Sequence, residues 1–581
     1  MLVKLSDFEA LRRSMLYASL RSTLLVPRSK FNTPLFPLPQ PLRLFASRPH
    51  SQILSSGDFE TKRRQLSKIN QLIFSVTRLL KQEKNEKAVE FFKSGVSGIP
   101  SWDRTSRSSA YERGITTFLN HGLYKNAVEL HQQMSAEGMF SSSGLRARML
   151  VCSNIVTAQH ELEPLYEKLS HVVSLSSYSE HSLRGLLDVM RGHPLIDLQF
   201  VRKLVDAYVE SKGSEYALES STINKLIPFY THTGSMDAAE SLVLPNREPA
   251  DNHPRHTNAA PYTTLISELT KKGAMSSTRL GRLLDGMTQS HTPVDLPLMN
   301  ALVQSAVRRG NFHQAFSLYE TILNDPASHM IPDSFTFGSL FNALQRLWAP
   351  RSPSLRRARQ PPNARTPRQL FRQMLECHVL AVQATAESSQ PVDVVRVSTL
   401  NVALRLFMLS MDYPGAFVTL QTFRALDLRP DTRSYRFVLT ILLAHVKTGL
   451  QQQLPGQSSG RHGGWAANFL GAAGKAGVQA EDIRPEVAYA LLEFAMGVGD
   501  TKFRAPGLAV ILGDEKEPQD AEWDIEPLER LVARAILATM ALKDVSEGQA
   551  ERALREKLAP YFYEMVPDRL WKGRRLRRAT C

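Results

Sequence analysis

Three cysteines in 581 residues, Cys152, Cys377 and Cys581, are too few and too scattered for a disulfide framework. With no CxxC anywhere, they build no cysteine-based zinc site either, and they read as reduced thiols. No apolar run approaches the ~18 residues that a membrane-spanning helix needs; "LAVILG" (Leu508 to Gly513) falls far short. There is no phosphate-cradling GxxxxGK[ST] and no GxGxxG after a strand. The zinc-deaminase signature of His-x-Glu followed by paired cysteines is missing as well. The C-terminal acids in "GDEKEPQDAEWDIE" crowd into one polar stretch and read as a solvated loop rather than a metal cage. His121, His131 and His160 have no convergent partners. These absences lead us to expect no catalytic residue, no metal and no cofactor.

Acid is scarce where base is plentiful. The first 55 residues carry Lys4, Arg12, Arg13, Arg21, Arg28, Lys30, Arg43 and Arg48 against only Asp7 and Glu9. Leucine, serine and proline fill the gaps, as in "MLYASLRSTLLVPRSK". An Arg- and Ser-rich, acid-poor leader resembles a mitochondrial transit peptide. "RLFASRP" (Arg43 to Pro49) looks like a matrix-processing site, so we expect residence in the mitochondrial matrix; the bland alternative is a basic tail. The leader accounts for six of the fifteen excess positive charges, so the remainder is basic too, which favours an acidic partner.

Between these ends the chain repeats itself. "YERGITTFLNHG" (Tyr111 to Gly122) has apolar residues at helical spacing and closes on a glycine. "YKNAVELHQQMSAEG" then restarts with Ala127, Leu130 and Met134 on one face and closes on Gly138. The same offsets return at Gly310, Ala315, Leu318 and Ile322, and again at Gly234, Ala239 and Leu242. Tyr262 precedes Gly273 as Tyr111 precedes Gly122. "TLNVALRLFMLSMDYPGAFVTLQTFRALDLRPD" lacks the turn glycine but keeps Ala416 and ends in Pro430-Asp431. A fixed period of helical hairpins is the mark of a solenoid.

These residues resemble the pentatricopeptide repeat family, of the mitochondrial RNA-binding type in a fungal-like, degenerate form. Units with the register are Ser108–Ser142, Leu296–Asp333, Ser334 onward and Val397–Asp431, with weaker ones at Ser143–Ser176, Ser220–Asn258 and Ala259–Asp295. Tetratricopeptide repeats share the length and the small residues; the register held over several units and the Pro-Asp junctions favour the pentatricopeptide family. The resemblance implies an all-α, right-handed superhelical solenoid of antiparallel helix pairs. We place a leader at 1–55, a capping region at 56–107, and the repeat array at 108–447 with an Arg/Pro-rich insertion at 348–368. A flexible linker at 448–465 and a helical C-terminal region with a basic tail at 466–581 follow.

The family reads RNA one base per unit, through the fifth residue and the last. Carried over, this implies the pairs Asn300 with Asp333, Asn401 with Asp431, and Thr263 with Asp295. Asn224 is the fifth residue of the Ser220 unit, and Phe335 is a candidate for stacking on a base. Glu112 with Ser142, Gly338 and Arg436 depart from the pattern. Each residue has a plain structural alternative: asparagine and aspartate as helix caps, Phe335 as core. Eight arginines from Arg346 to Arg372 suit either a phosphate clamp or a solvated loop. The implied function is binding of single-stranded mitochondrial RNA, messenger or ribosomal, in support of transcript stability, processing or translation, with no bond made or broken by the protein. The mitoribosome and RNA-processing proteins are further implied partners. The rival is a protein-binding scaffold or an assembly factor for the mitoribosome or a respiratory complex, without base reading.

Overall fold

A computed structural model describes residues 56–97, 103–158, 161–213, 216–244, 258–324, 330–348, 363–385, 393–451, 461–470, 504–507, 510–511, 523–540, 547–567 and 570. The leader at 1–55 and the basic tail at Lys572–Arg578 lie outside these, as do Arg351, Arg356, Arg357, Arg359 and residues 471–503 of the expected helical C-terminal region. The described residues form twenty-two α-helices and no strand. None of these helices is long and apolar enough to cross a membrane. The chain divides into two compact units, residues 1–293 and 294–581.

In the first unit the pairs are α1 (Ser56–Lys81) with α2 (Asn85–Ser97), α3 (Arg104–Asn120) with α4 (Tyr124–Ala136), and α5 (Ser143–Thr157) with α6 (Glu163–Val173). They continue with α7 (Glu180–Met190), α8 (Leu198–Lys212), α9 (Ser220–His232), α10 (Met236–Val243), α11 (Ala260–Lys271) and α12 (Ser277–Gln289). The first helices α5, α7, α9 and α11 pack on one another in series. Tyr111, Phe118, Tyr178, Tyr208 and Tyr262 are all sealed in the core. Tyr111 and Phe118 each meet Phe92 in a T-shaped contact, at centroid distances of 6.1 and 5.9 Å.

The second unit holds α13 (Leu296–Arg308), α14 (Phe312–Asn324), α15 (Ser334–Trp348), α16 (Pro367–Thr385), α17 (Val397–Leu409), α18 (Tyr413–Ala425) and α19 (Thr432–Gln451). Three of its first helices start on the residue the repeat register assigns: Leu296, Ser334 and Val397. The layer α13, α15, α17, α19 is continuous, each helix packing on the next. Turns close as expected. Gly310 takes φ +75°, and where the glycine is missing Met411 is forced to φ +57°. The turn keeps its bonds there: Asp412 N–H donates to Phe407 O at 2.9 Å and Met411 N–H to Met408 O at 3.1 Å.

Beyond the repeats, α20 (Arg461–Leu470), α21 (Glu526–Thr539) and α22 (Glu547–Met565) fold back on the repeat helices. α18 packs on α21 and α22, α16 on α22, and α19 on α20. Trp465 stacks on Tyr413 at 5.6 Å and donates its indole N–H to Ala535 O at 3.1 Å. The flexible linker expected at 448–465 is thus helical at both margins.

The arginine-rich insertion narrows in the same way, because its ends are helical and committed. Arg346 donates to Val307 O at 3.0 Å, and Arg365 pairs with Glu320 at 3.7 Å. Arg368 binds Asp412 through two nitrogens at 2.8 and 3.0 Å and Glu564 at 3.0 Å. Arg372 meets Glu376 and Tyr563 O, both at 2.9 Å. These four cations hold helices together, and their partners lie too far along the chain for composition to reveal. Two of the acids read as solvated are also engaged: Asp524 Oδ2 accepts from Arg504 N at 2.8 Å, and Glu526 pairs with Arg424 at 2.7 Å.

Candidate nucleic-acid interface

An aspartate before a helix accepts the free amide protons of the first turn. Asp333 does so for α15, taking Phe335 N and Thr336 N through one oxygen at 3.0 Å each. Asp431 does so for α19, taking Ser434 N at 2.9 Å. In both, a hydroxyl three residues on answers by accepting the aspartate's own N–H, at 3.3 Å for Thr336 and 3.2 Å for Ser434. This is the reciprocal cap of a helix start with a hydroxyl in place of the usual glutamate.

The fifth residue of the preceding first helix completes the arrangement. Asn300 donates from Nδ2 to Asp333 Oδ1 at 2.9 Å, and its Oδ1 accepts from Thr336 Oγ1 at 2.6 Å. Asn401 repeats it, donating to Asp431 Oδ1 at 2.8 Å and accepting from Ser434 Oγ at 2.6 Å. The amide is held at both ends, so its orientation is fixed; one N–H and one lone pair remain. The two copies differ in access. Asn300 is half-buried, whereas Asn401 is 3% exposed and offers almost no surface to a ligand in this conformation.

The other candidates stand apart. Thr263 is half-buried and spends its hydroxyl on Ala259 O at 3.1 Å. Asp295 caps α13 through Leu298 N at 2.9 Å. Asn224 is half-buried, and its carbonyl oxygen is sealed without a hydrogen-bond partner. Phe335 is not core: it is 64% exposed, with the Arg396 guanidinium 5.5 Å from its ring centroid.

Two other fifth residues make the same tether in other chemistry. Glu112 Oε1 accepts from Ser142 N at 2.6 Å, and Ser142 in turn caps α5. Arg184, fifth in α7, binds Glu219 at 2.8 Å and Ser221 at the start of α9. Thr336, Ser434 and the Arg184 tether were missed from sequence; the signal for the first two is Asp-x-x-Ser/Thr at a helix start.

The electrostatic setting is one-sided. The first helices α13, α15, α17 and α19 contain Arg308, Arg346, Arg405, Arg433, Arg436 and Lys447 and not one Asp or Glu. Their solvent stripes carry Phe335, Asn342, Ser398, Arg405, Arg433 and Thr440. The carboxylates at the junctions, Asp333 and Asp431, are bound up in capping. Among the described residues no three His, Cys, Asp or Glu side chains gather as a metal site.

No family model and no curated protein matches the chain. Among solved structures, the pentatricopeptide repeat protein PPR10 in complex with an 18-nt psaJ RNA element is similar at 14% identity. That match covers 86% of this chain and 76% of the other, with a TM-score of 0.28. PPR10 from maize matches at 14% identity over 90% of this chain and 92% of the other, with a TM-score of 0.19.

Proposed function

We propose that the second unit binds single-stranded RNA along the solvent stripe of α13, α15, α17 and α19. The observation that carries this is the acid-free row of first helices with an exposed phenylalanine at a repeat junction. Cations without carboxylates attract a phosphate chain, and an open aromatic face stacks a base. Asn300, oriented by Asp333 and Thr336, adds one donor and one acceptor at the same junction. The leader directs the reading to mitochondrial transcripts, bound in support of stability, processing or translation.

The test is titration of the purified chain with a fluorescent unstructured 12-mer at several salt concentrations. Log affinity should fall against log salt with a slope of about −2 to −4, at ~0.7 per phosphate neutralised. Phe335→Ala should cost about 1–3 kcal/mol of binding. Salt-independent binding, or none, refutes the proposal. A second reading, a protein-binding scaffold, is favoured by the burial of Asn401 and by the fifth residues Glu112 and Arg184 being spent on repeat-to-repeat tethers. It requires protein partners that survive nuclease treatment and a fold indifferent to Phe335→Ala.

A further inference from the structure

At the α17–α19 junction the expected reader, Asn401, is shut away, yet the surface above it is not bare. Arg405, nine residues into its unit, is exposed and lays its guanidinium 5.2 Å from the centroid of the Phe437 ring on the neighbouring first helix. Arg433, at the start of α19, is exposed too. Neither arginine has a carboxylate partner among the described residues. Arg436, the nominal fifth residue of this unit, is already spent, donating to Ile511 O at 2.5 Å. The neighbouring junction shows the same pairing with the roles displaced: Arg396 lies over Phe335.

We infer that Arg405, backed by Phe437 and flanked by Arg433, is a second RNA contact that takes a base or phosphate without regard to sequence. This rests on the RNA reading above and assigns a role to residues outside the fifth-and-last pairs. A guanidinium packed over an aromatic ring on one side leaves its other side open to a nucleobase, and every base has a face that can stack there. Its edge N–H groups remain free for phosphate oxygens. Because Asn401 cannot present its amide, this junction supplies grip, and base preference is left to the Asn300 junction.

The experiment compares Arg405→Gln, Arg405→Lys and Phe335→Ala in the full chain, each titrated with a U-rich and a mixed-sequence 12-mer at several salt concentrations. Thermal melts confirm that each variant is folded; Arg405 is exposed, so the melts should superimpose. Arg405→Gln should weaken both oligonucleotides alike, by about 5- to 10-fold, and should reduce the salt slope by about 0.7–1. Arg405→Lys should keep the slope and lose part of the affinity, because the charge stays and the flat stacking face goes. If Arg405→Gln changes nothing while Phe335→Ala weakens binding, this inference fails and the RNA reading stands. If Arg405→Gln alters the ratio between the two oligonucleotides, its indifference to sequence is refuted. If the unmodified chain binds neither oligonucleotide, both fall together.

Discussion

Asn401 and Asn300 occupy the same place in the repeat and make the same two bonds, so their truncation separates burial from bonding. Asn401→Ala removes a donor to the Asp431 carboxylate at 2.8 Å and an acceptor for Ser434 Oγ at 2.6 Å. A hydrogen bond to a charged group contributes about 1.5–3 kcal/mol and a neutral one about 1. Part is recovered, since Ser434 Oγ lies 3.0 Å from Asp431 Oδ1 and can turn its proton there. At 3% exposure water does not refill the gap, so we expect a net loss of about 2–3 kcal/mol. Asn300→Ala deletes the same bonds at a half-buried site, where water re-enters and the loss should be nearer 1 kcal/mol. The assay is urea unfolding followed by far-UV circular dichroism, paired with RNA titration. Equal losses at the two positions, or a loss at Asn401 below about 0.5 kcal/mol, would refute the view that access divides the copies. So would a change in base preference on replacing Asn401.

Two further outcomes follow from the geometry. Met411→Gly should stabilise by about 0.5–1 kcal/mol in the same assay, because Met411 sits at φ +57° and its side chain is 42% exposed; a loss of stability would show that its packing outweighs its strain. Glu529 is sealed between α18 and α21, and burial pushes its carboxyl up to about 7 against the pull of Arg424 at 2.5 Å. The folded state then holds a proton that the unfolded state has released above about pH 4.3. Stability from this group is therefore full below that pH and falls as pH rises through 7, by roughly 3–4 kcal/mol. Glu529→Gln should flatten the melting temperature between pH 5 and 8; an unchanged slope counts against it.

Much of the fold was legible because its signals are local. A glycine ending a helix, an alanine five residues on and an aspartate before the next helix can each be read without knowing what lies across the molecule. The pair α7–α8 escaped for the same reason. Its turn, Arg191 to Asp197, contains Gly192, which does not take positive φ, so the offset that marks the other repeats is absent. The C-terminal helices were legible as helices but not as neighbours of α18. Gln421 and Arg424 reach Glu529 across more than a hundred residues, and Arg368 reaches Glu564 across 196. The Asn–Asp pairs were legible as pairs. That one copy is open and the other shut depends on what neighbouring helices lay over it, and no spacing encodes that.

The recurrence of the tether bears on what a fifth residue means. Four junctions join that residue to the head of the next repeat: Glu112 to Ser142, Arg184 to Glu219, Asn300 to Asp333 and Asn401 to Asp431. Only two of the four use asparagine with aspartate. Physically, the junction needs any polar side chain that can satisfy a helix start or its capping residue, because those groups are partly desolvated when repeats stack. Asparagine is the choice that ties the junction and still has a donor and an acceptor to spare. An Asn–Asp pair in the sequence is therefore equally the mark of a tether and of a reader. Exposure decides between them, and here it singles out Asn300, with the Phe335 ring in the next repeat, as the junction where spare hydrogen-bonding capacity meets solvent.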